Sequence, residues 1–143
     1  MTRIFEILKQ FLTKVFHKNH SSLSEKDKLG KDGENRVVQF LKNEGYKIID
    51  RNVRFSIGEI DIIAKIQKTL IFVEVKTRRT AAYAHPVEAV NAKKRQKIRQ
   101  MGFRYFHTKK YKHRGFTIRF DVVTLIWREN EEPVIEHFTD AFR

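Results

Sequence analysis

The chain has 143 residues, of which 41% are hydrophobic and 33% charged, a composition typical of one folded domain rather than of a disordered chain. It carries 30 Lys and Arg against 17 Asp and Glu, and it contains no cysteine, which excludes disulfides, zinc sites with thiolate ligands and cysteine nucleophiles. No apolar run reaches the length of about 18 residues that predicts a membrane span, and the N-terminus lacks the pattern of a secretory signal. We therefore expect a cytoplasmic protein.

Positive charge is concentrated in one part of the chain. Residues 1–127 hold 28 basic and 12 acidic residues, whereas residues 128–143 have a net charge of −3. Residues 89–120 contain eleven Lys and Arg and no Asp or Glu. A solvated helix face is the alternative interpretation, but such faces normally intersperse both signs. The pattern predicts a phosphate-bearing partner, and nucleic acid in particular.

The first 22 residues form an extension ahead of the main domain, which we place at residues 23–143. Apolar residues recur at helical spacing over residues 1–16, and residues 17–22 read HKNHSS, a polar linker. The segment is therefore predicted to be an amphipathic helix. Three roles remain open for it: packing on its own domain, contacting a protein partner, or lying on a membrane surface.

A second helix is predicted from Ser24, which caps it, to about Glu44, with Gly45 ending it. Gly30 and Gly33 weaken its first half by about 1 kcal/mol each relative to alanine. Their presence suggests that another part of the chain passes close to this side of the helix.

Glu34 is a carboxylate on the apolar side of this helix. It has the i, i+3, i+4, i+7 spacing to Val37, Val38 and Leu41, which predicts that all four share one face. An acidic side chain on a stripe that packs against the core is unusual, and it makes Glu34 a candidate functional residue.

Strands and one further helix account for the rest of the chain. The predicted strands are residues 46–50, 53–55, 57–65, 69–77, 116–127 and 134–138. A long helix is predicted from Pro86 to about Phe106. Its inner stripe is Val90, Ile98, Met101 and Tyr105, interrupted by Lys94. The short segments 46–50 and 53–55 count as one or two strands, so the order is a helix, three or four strands, a helix and two strands. We take it as α-β-β-β-α-β-β, which predicts an α/β fold in which helices flank a mixed β-sheet.

Two acidic residues oppose each other in the hairpin formed by residues 57–65 and 69–77. If the turn is centred between residues 67 and 68, Asp61 faces Glu74 and Glu59 faces Lys76. Side chains alternate along a strand, so these four share one face of the sheet. The neighbours expected on the opposite face are Ile60, Ile62, Val73 and Val75.

Directly opposed carboxylates destabilise a sheet unless positive charge lies between them. Lys76 neutralises part of the charge, and a divalent cation would neutralise more. Mg²⁺ prefers oxygen ligands and binds through one or two carboxylates while it keeps several waters. The alternative is an exposed sheet face with salt-bridged charges, but Glu34 on an apolar helix face favours a metal site.

Asp61 followed by the Glu74-Val75-Lys76 triplet resembles the D…(D/E)-x-K signature of the restriction-endonuclease-like nucleases. An ordered set of segments across residues 28–142 more closely resembles the YraN family of small bacterial proteins. These segments are Gly33-Glu34, Asn52-Val53-Arg54, Gly58-Glu59-Ile60-Asp61, Phe72 to Arg78, Ala89-Val90 with Lys94, Phe120 to Val123, and His137 with Ala141-Phe142.

The resemblance implies a restriction-endonuclease-like fold with a PD-(D/E)XK site. Asp61 and Glu74 would hold Mg²⁺ or Mn²⁺, with the Val75 carbonyl as a third ligand. Lys76 would orient or help to deprotonate the attacking water and offset charge in the transition state. Glu34 would approach the metal directly or through water. Glu59 is left as a partner of Lys76.

Other charged residues have two interpretations each. Arg54 and Arg78 either bind phosphate or brace the two acidic residues, and Lys94 either extends its charge to solvent or contacts phosphate at the site. Asp121 is expected to form an ion pair with Arg119 within the sheet, and His137 is expected to be structural. The predicted nucleic-acid contacts are Arg54, Arg78, Lys93, Lys94, Lys97 and Arg99. Three aromatics could stack on bases: Tyr105, Phe106 and Tyr111. Core packing is the alternative for Tyr105 and Phe106.

The sequence thus supports a metal-dependent endonuclease, acting on DNA in preference to RNA and on branched or structured substrates. The alternative is a nucleic-acid-binding module that keeps the nuclease fold without turnover. A third class is an interaction protein recruited through the N-terminal helix. A homodimer is compatible with the resolvase-like members of the superfamily.

Overall fold

The computed structural model describes residues 24–79, 90–128 and 130–143, so the predicted N-terminal helix lies outside the described residues. The elements are α1 (Glu25–Asn43), β1 (Lys47–Phe55), β2 (Gly58–Ile66), β3 (Thr69–Arg78), α2 (Ala92–Thr108), a short 3-10 turn (Lys112–Arg114), β4 (Thr117–Ile126) and β5 (Val134–Phe138). This is the predicted α-β-β-β-α-β-β order, and the α/β fold class is confirmed.

The five strands form one mixed sheet in the order β1-β2-β3-β4-β5. The pair β3 and β4 is parallel, and the other three neighbouring pairs are antiparallel. A parallel pair needs a crossover, and the segment that contains α2 provides it. The β2–β3 ladder runs from Ile62 opposite Val73 to Ile66 opposite Thr69, which is the predicted register.

Two predicted boundaries were wrong. Residues 46–50 and 53–55 belong to one strand, β1, which remains continuous through a register irregularity between Ile48 and Asp50. Helix α2 begins at Ala92 rather than at Pro86, which lies outside the described residues. The Asn91 side chain caps this helix by accepting a hydrogen bond from the Lys94 amide at 2.9 Å. A side-chain cap therefore decides where the helix starts.

Each helix covers one face of the sheet. Helix α1 packs its predicted apolar stripe on one hydrophobic cluster, whose sheet members include Ile62, Ile71, Val73, Val123 and Leu125. Helix α2 packs on the other, whose sheet members include Ile63, Leu70, Phe72, Phe120 and Val122. The predicted inner stripe of the second helix is confirmed as buried, including Val90, although Val90 precedes the helix itself.

A close approach between α1 and β3 explains one of the two helix glycines. A Cβ atom at Gly33 would overlap the Thr77 hydroxyl group, whereas a Cβ at Gly30 would meet nothing within 4 Å. The expected neighbour therefore exists at Gly33 and not at Gly30. Gly33 therefore lets α1 lie against β3, the strand that carries Glu74.

The two glycines provide a matched pair of substitutions. Gly33→Ala is expected to destabilise the fold by roughly 1–3 kcal/mol, because the new methyl group displaces Thr77. Gly30→Ala is expected to stabilise it by about 0.5–1 kcal/mol through helix propensity alone. Urea unfolding of both variants tests this expectation. Equal effects at the two positions would contradict the close packing at Thr77.

A buried ionic cluster joins β4 to the C-terminal segment. Asp121 is fully buried and accepts hydrogen bonds from Arg119 at 2.7 and 2.8 Å, from His137 at 2.8 Å and from the Asp140 amide at 2.9 Å. Burial by itself would raise the pKa of Asp121, but these hydrogen bonds outweigh it and hold the pKa below its ordinary value. The predicted Arg119–Asp121 ion pair is confirmed, and His137 belongs to the same cluster.

None of the helices within the described ranges is both long and apolar enough to cross a lipid bilayer.

Candidate active site

Strands β2 and β3 stop pairing where the predicted acidic residues lie. The ladder ends at Ile62 opposite Val73, and beyond it the Val75 amide donates to the Asp61 carboxylate at 2.8 Å. A side chain thus takes the place of the next backbone acceptor and holds Asp61 at the junction of the strands. Ile60 packs with the α2-side cluster, and not with Ile62 as predicted, because the strand pair separates at this point.

Glu74 is the buried acid of the site, with 3% of its surface exposed. Its Oε1 atom lies 2.9 Å from the ammonium group of Lys76 and 3.2 Å from that of Lys94. Its Oε2 atom is buried and has no hydrogen-bond partner among the described residues. A buried carboxylate oxygen without a partner is costly, so this atom is a candidate ligand for a cation.

The pKa of Asp61 is raised to about 7 from its ordinary value of 3.8. Burial is the largest cause, followed by the negative charge of Glu74, and the charge of Glu34 adds to them. The hydrogen bond from Val75 and the charge of Lys94 oppose the rise. Asp61 is therefore partly protonated near neutral pH, and a bound cation would displace that proton.

A polar bridge holds Glu34 beside β1. The Asn52 side-chain amide donates to Glu34 at 2.9 Å and to Glu59 at 3.3 Å. Glu59 also accepts from Arg54 at 3.1 Å, so the predicted pairing of Glu59 with Lys76 is wrong. Glu34 acts on Asp61 through its charge.

Sequence reasoning did not assign a role to Asn52. The residue lies in a strand with φ of 49°, a left-handed conformation that asparagine tolerates better than most side chains. An Asn between two strand-forming segments was the available signal. In this conformation the side-chain amide of Asn52 reaches both Glu34 and Glu59, and its hydrogen bond orients Glu34.

The predicted nucleic-acid contacts are spread over several elements. Lys93 is exposed on α2, and Lys97 and Arg99 are half-buried on the same helix. Lys94 is not free on the surface, because its ammonium group pairs with Glu74. Arg78 ends β3, where its carbonyl accepts from the Trp127 amide at 2.7 Å. Arg54 is 87% exposed but paired with Glu59, and it does not touch Asp61 or Glu74.

For the aromatic residues considered as base-stacking candidates, core packing is confirmed for Tyr105 and Phe106, and the stacking role expected for Tyr111 is wrong. Tyr105 and Phe106 are buried at 7% exposure, and Tyr111 is half-buried against the same cluster, so these three serve the core. The pKa of Tyr105 is raised to about 12, chiefly by burial and then by the charge of Asp50. The exposed aromatic of α2 is Phe103, at 47%, which lies off the buried stripe of the helix.

The donors at the site fit a single cation held by few protein ligands. Within the parts of the chain that the structure describes, no three Asp, Glu or His side chains lie close enough to form a cage around a metal. Asp61 and the unpartnered Oε2 atom of Glu74 supply two carboxylates. Mg²⁺ commonly binds through one or two carboxylates and completes its coordination with water.

Comparison with known proteins agrees with the resemblance seen in the sequence. The model of the uncharacterised protein family UPF0102 matches residues 33–125. A UPF0102 protein of Alkaliphilus oremlandii is 43% identical over 115 residues, which cover 80% of this chain and 97% of the relative. UPF0102 proteins of Desulfosudis oleivorans and Rhodococcus opacus are 42% and 40% identical, covering 83% and 80% of this chain and 95% of each relative. The chain belongs to the UPF0102 family.

The family match includes the candidate site and leaves out the N-terminal extension. Residues 33–125 of the UPF0102 match contain Glu34, Asp61, Glu74, Lys76 and Lys94. The relatives are named for the family and not for an activity, so the function of this UPF0102 protein has to be argued from its geometry.

Proposed function

We propose that this UPF0102 protein is a metal-dependent endonuclease that hydrolyses phosphodiester bonds. The single observation that carries the proposal is the buried, unpartnered Oε2 atom of Glu74, next to Asp61 with its pKa raised to about 7. Two carboxylates that repel each other inside a basic protein are a cost to stability unless a cation is bound there. A cation site beside a phosphate-attracting surface favours phosphodiester chemistry.

Each residue of the site has a distinct task in this proposal. Asp61 and Glu74 hold the cation, with the Val75 carbonyl as a further ligand. Mg²⁺ or Mn²⁺ supplies Lewis-acid chemistry when bound, lowering the pKa of water and offsetting phosphate charge. Lys76, whose ammonium group is 2.9 Å from Glu74, orients the attacking water and stabilises negative charge on the phosphate.

Two further residues support the reacting groups. Lys94 reaches Glu74 from the first turn of α2 and offers a second positive charge to the phosphate. Glu34, held by Asn52, approaches the cation through a water molecule, because no third acidic side chain lies close enough to bind the cation beside Asp61 and Glu74 among the described residues. Asn52 is therefore proposed as a positioning residue for Glu34.

The substrate proposed is nucleic acid, with DNA preferred over RNA and branched or structured DNA included. Lys93, Lys97 and Arg99 of α2 supply phosphate contacts, which give affinity with little sequence preference. A homodimer, and contact of the N-terminal extension with a protein partner or a membrane surface, remain predictions.

The test is a cleavage assay on a panel of plasmid, single-stranded, flap and junction DNA with Mg²⁺ or Mn²⁺. We expect wild-type protein to cut at least one substrate and Asp61→Ala to cut none. Asp32→Ala, a change of an exposed acidic residue on α1, is the matched control and should cut like wild type. Cleavage that survives in Asp61→Ala would place the activity elsewhere or in a contaminant.

A non-catalytic nucleic-acid-binding module is the second candidate, and one observation favours it. Lys76 and Lys94 both pair with Oε1 of Glu74, so the protein itself already neutralises much of this carboxylate. Tight binding without cleavage of any substrate on the panel, with either cation, would support the binding module over the enzyme.

Charge reversal on α2 tests where nucleic acid binds. Replacing Lys93, Lys97 and Arg99 by glutamate should weaken binding by a hundredfold or more at low salt and reduce the slope of affinity against salt concentration. The matched control reverses three exposed lysines of α1: Lys26, Lys28 and Lys31. Fluorescence anisotropy over a salt series measures both effects. Equal losses in the two triple variants would mean diffuse binding without a platform on α2.

A further inference from the structure

An open cavity of about 440 Å³ lies between the outer side of α2 and the segment after β5, away from the carboxylates of the candidate site. Its lining includes Phe103 and Arg99 from α2, Phe120 and Thr117 from β4, and Phe142 and Asp140 from the C-terminal segment. We name it the Phe103 cavity. None of these residues except Arg99 has a part in the proposed catalytic or phosphate-binding machinery.

The floor of the Phe103 cavity is a stack of aromatic rings that continues into the core. Phe120 is stacked on Phe142 and on Phe72, with ring centroids 5.5 Å apart in both pairs. The Phe103 ring packs at a tilt against Phe120, with ring centroids 6.1 Å apart, and 47% of the Phe103 surface is exposed. The stack therefore ends in one exposed aromatic side chain on an otherwise strongly basic helix.

The position of Phe103 is fixed by close packing beside it. A Cβ atom at the preceding residue, Gly102, would lie 2.7 Å from the Phe120 ring and 3.0 Å from the Phe72 ring. Only glycine lets the helix approach the rings this closely. The exposed ring is thus anchored on a rigid element, which lowers the entropy cost of stacking a ligand on it.

The charge at the cavity favours an anionic ligand. Arg99 lies one helical turn before Phe103, on the same side of α2. Among residues 24–79, 90–128 and 130–143, no acidic side chain pairs with Arg99. The acidic residue that lines the cavity, Asp140, is paired with Arg143 at 2.7 Å, so its charge is offset. A planar apolar surface beside a guanidinium group that has no acidic partner among the described residues complements a nucleotide, which joins a flat base to a phosphate.

We propose that the Phe103 cavity binds an unpaired nucleotide of a nucleic-acid substrate, with the base stacked on Phe103 and its phosphate on Arg99. Base–aromatic stacking is available only to a base that has left the duplex stack. The volume of the Phe103 cavity falls within the range of about 300–1,000 Å³ that is usual for ligand pockets. A fully paired duplex cannot place a base there.

The cavity and the candidate site lie on the same face of the sheet. Phe72 and Glu74 are two residues apart on β3 and so point to one side, and Lys94 and Phe103 are nine residues apart on α2, a rise of roughly 13 Å. Nine residues make roughly two and a half helical turns, so Phe103 and Lys94 lie on opposite sides of α2, and a strand bound at the cavity would have to cross α2 to reach Glu74. This inference rests on the proposed function. It names the substrate class as DNA that has unpaired nucleotides close to the scissile bond.

The experiment measures binding in EDTA, where cleavage does not occur. Fluorescence anisotropy compares a labelled single-stranded oligothymidylate with a blunt duplex of equal length, for wild type and for Phe103→Leu. We expect the substitution to weaken single-strand binding roughly tenfold or more and to leave duplex binding within about twofold. Phe103→Tyr keeps the ring and should bind like wild type, which separates loss of stacking from loss of fold.

The arginine is tested on the same helix. Arg99→Gln should weaken single-strand binding, whereas Arg104→Gln should not, because Arg104 lines a different cavity beside Asp50 and Tyr105. Equal losses for single strand and duplex in Phe103→Leu, or no loss in either, would overturn the proposal. Unchanged affinity in both arginine variants would also overturn it. If Phe103→Leu loses single-strand binding but not duplex binding, while the wild-type protein cleaves no DNA in Mg²⁺, the proposed nuclease function is refuted and the nucleotide site at the Phe103 cavity stands.

Discussion

Lys76→Ala is expected to lower the rate of DNA cleavage by roughly a hundredfold or more while affinity for the same DNA changes little. The two quantities separate because they depend on different charges. Affinity comes from many phosphate contacts, and Lys76 is one of 30 basic residues. The rate depends on charge next to the reacting phosphate, and the Lys76 ammonium group lies 2.9 Å from the proposed metal ligand Glu74.

Lys65→Ala is the matched control for this prediction. Lys65 is a half-buried strand lysine in the same hairpin, opposite Leu70 near the turn, and its ammonium group lies over the Phe116 ring and away from the acids. Single-turnover cleavage and anisotropy in EDTA measure rate and affinity separately. If rate and affinity fall together in Lys76→Ala but not in Lys65→Ala, Lys76 is a binding residue and its catalytic role is refuted.

Asp61→Asn is expected to stabilise the metal-free protein at pH 8. The folded-state pKa of Asp61 is about 7 against an ordinary value of 3.8, so the folded protein binds more protons than the unfolded chain between these values. The contribution of Asp61 to stability therefore falls as pH rises from about 4 to about 7 and stays low above that range. Asparagine carries no charge at any pH and can still accept from the Val75 amide. We expect a gain of roughly 2–4 kcal/mol at pH 8, the upper end corresponding to the full difference in pKa.

The same substitution should remove the response to divalent cations. Mg²⁺ or Mn²⁺ raises the unfolding temperature of wild type by binding only to the folded acidic pair, and the rise should increase as pH passes through about 7, because the cation displaces a proton. Thermal unfolding with and without cation, over pH 5 to 8, measures both effects. An equal cation shift in wild type and Asp61→Asn would contradict the proposed site, and Asp32→Asn serves as the exposed control.

Features that depend on local pattern could be predicted from the sequence. The register of β2 on β3 followed from the alternation of apolar residues and a short turn, because a slip by one residue would turn the buried side chains to solvent. Ser24 caps α1 as predicted, in a capping box with Asp27. The Arg119–Asp121 pair was predictable because residues two apart on a strand share a face.

Choices among nearby partners were decided only by the tertiary structure. Glu59 on β2 pairs with Arg54 on β1 and not with Lys76, because β2 and β3 separate at this point. Lys94 pairs with Glu74 because of the way α2 packs on the sheet. The exposure of Phe103 depends on how closely Gly102 lets α2 approach the aromatic stack. By itself the sequence determined the order of elements, their faces and the candidate acidic residues. Which side chains meet depended on packing between distant segments, which local periodicity does not encode.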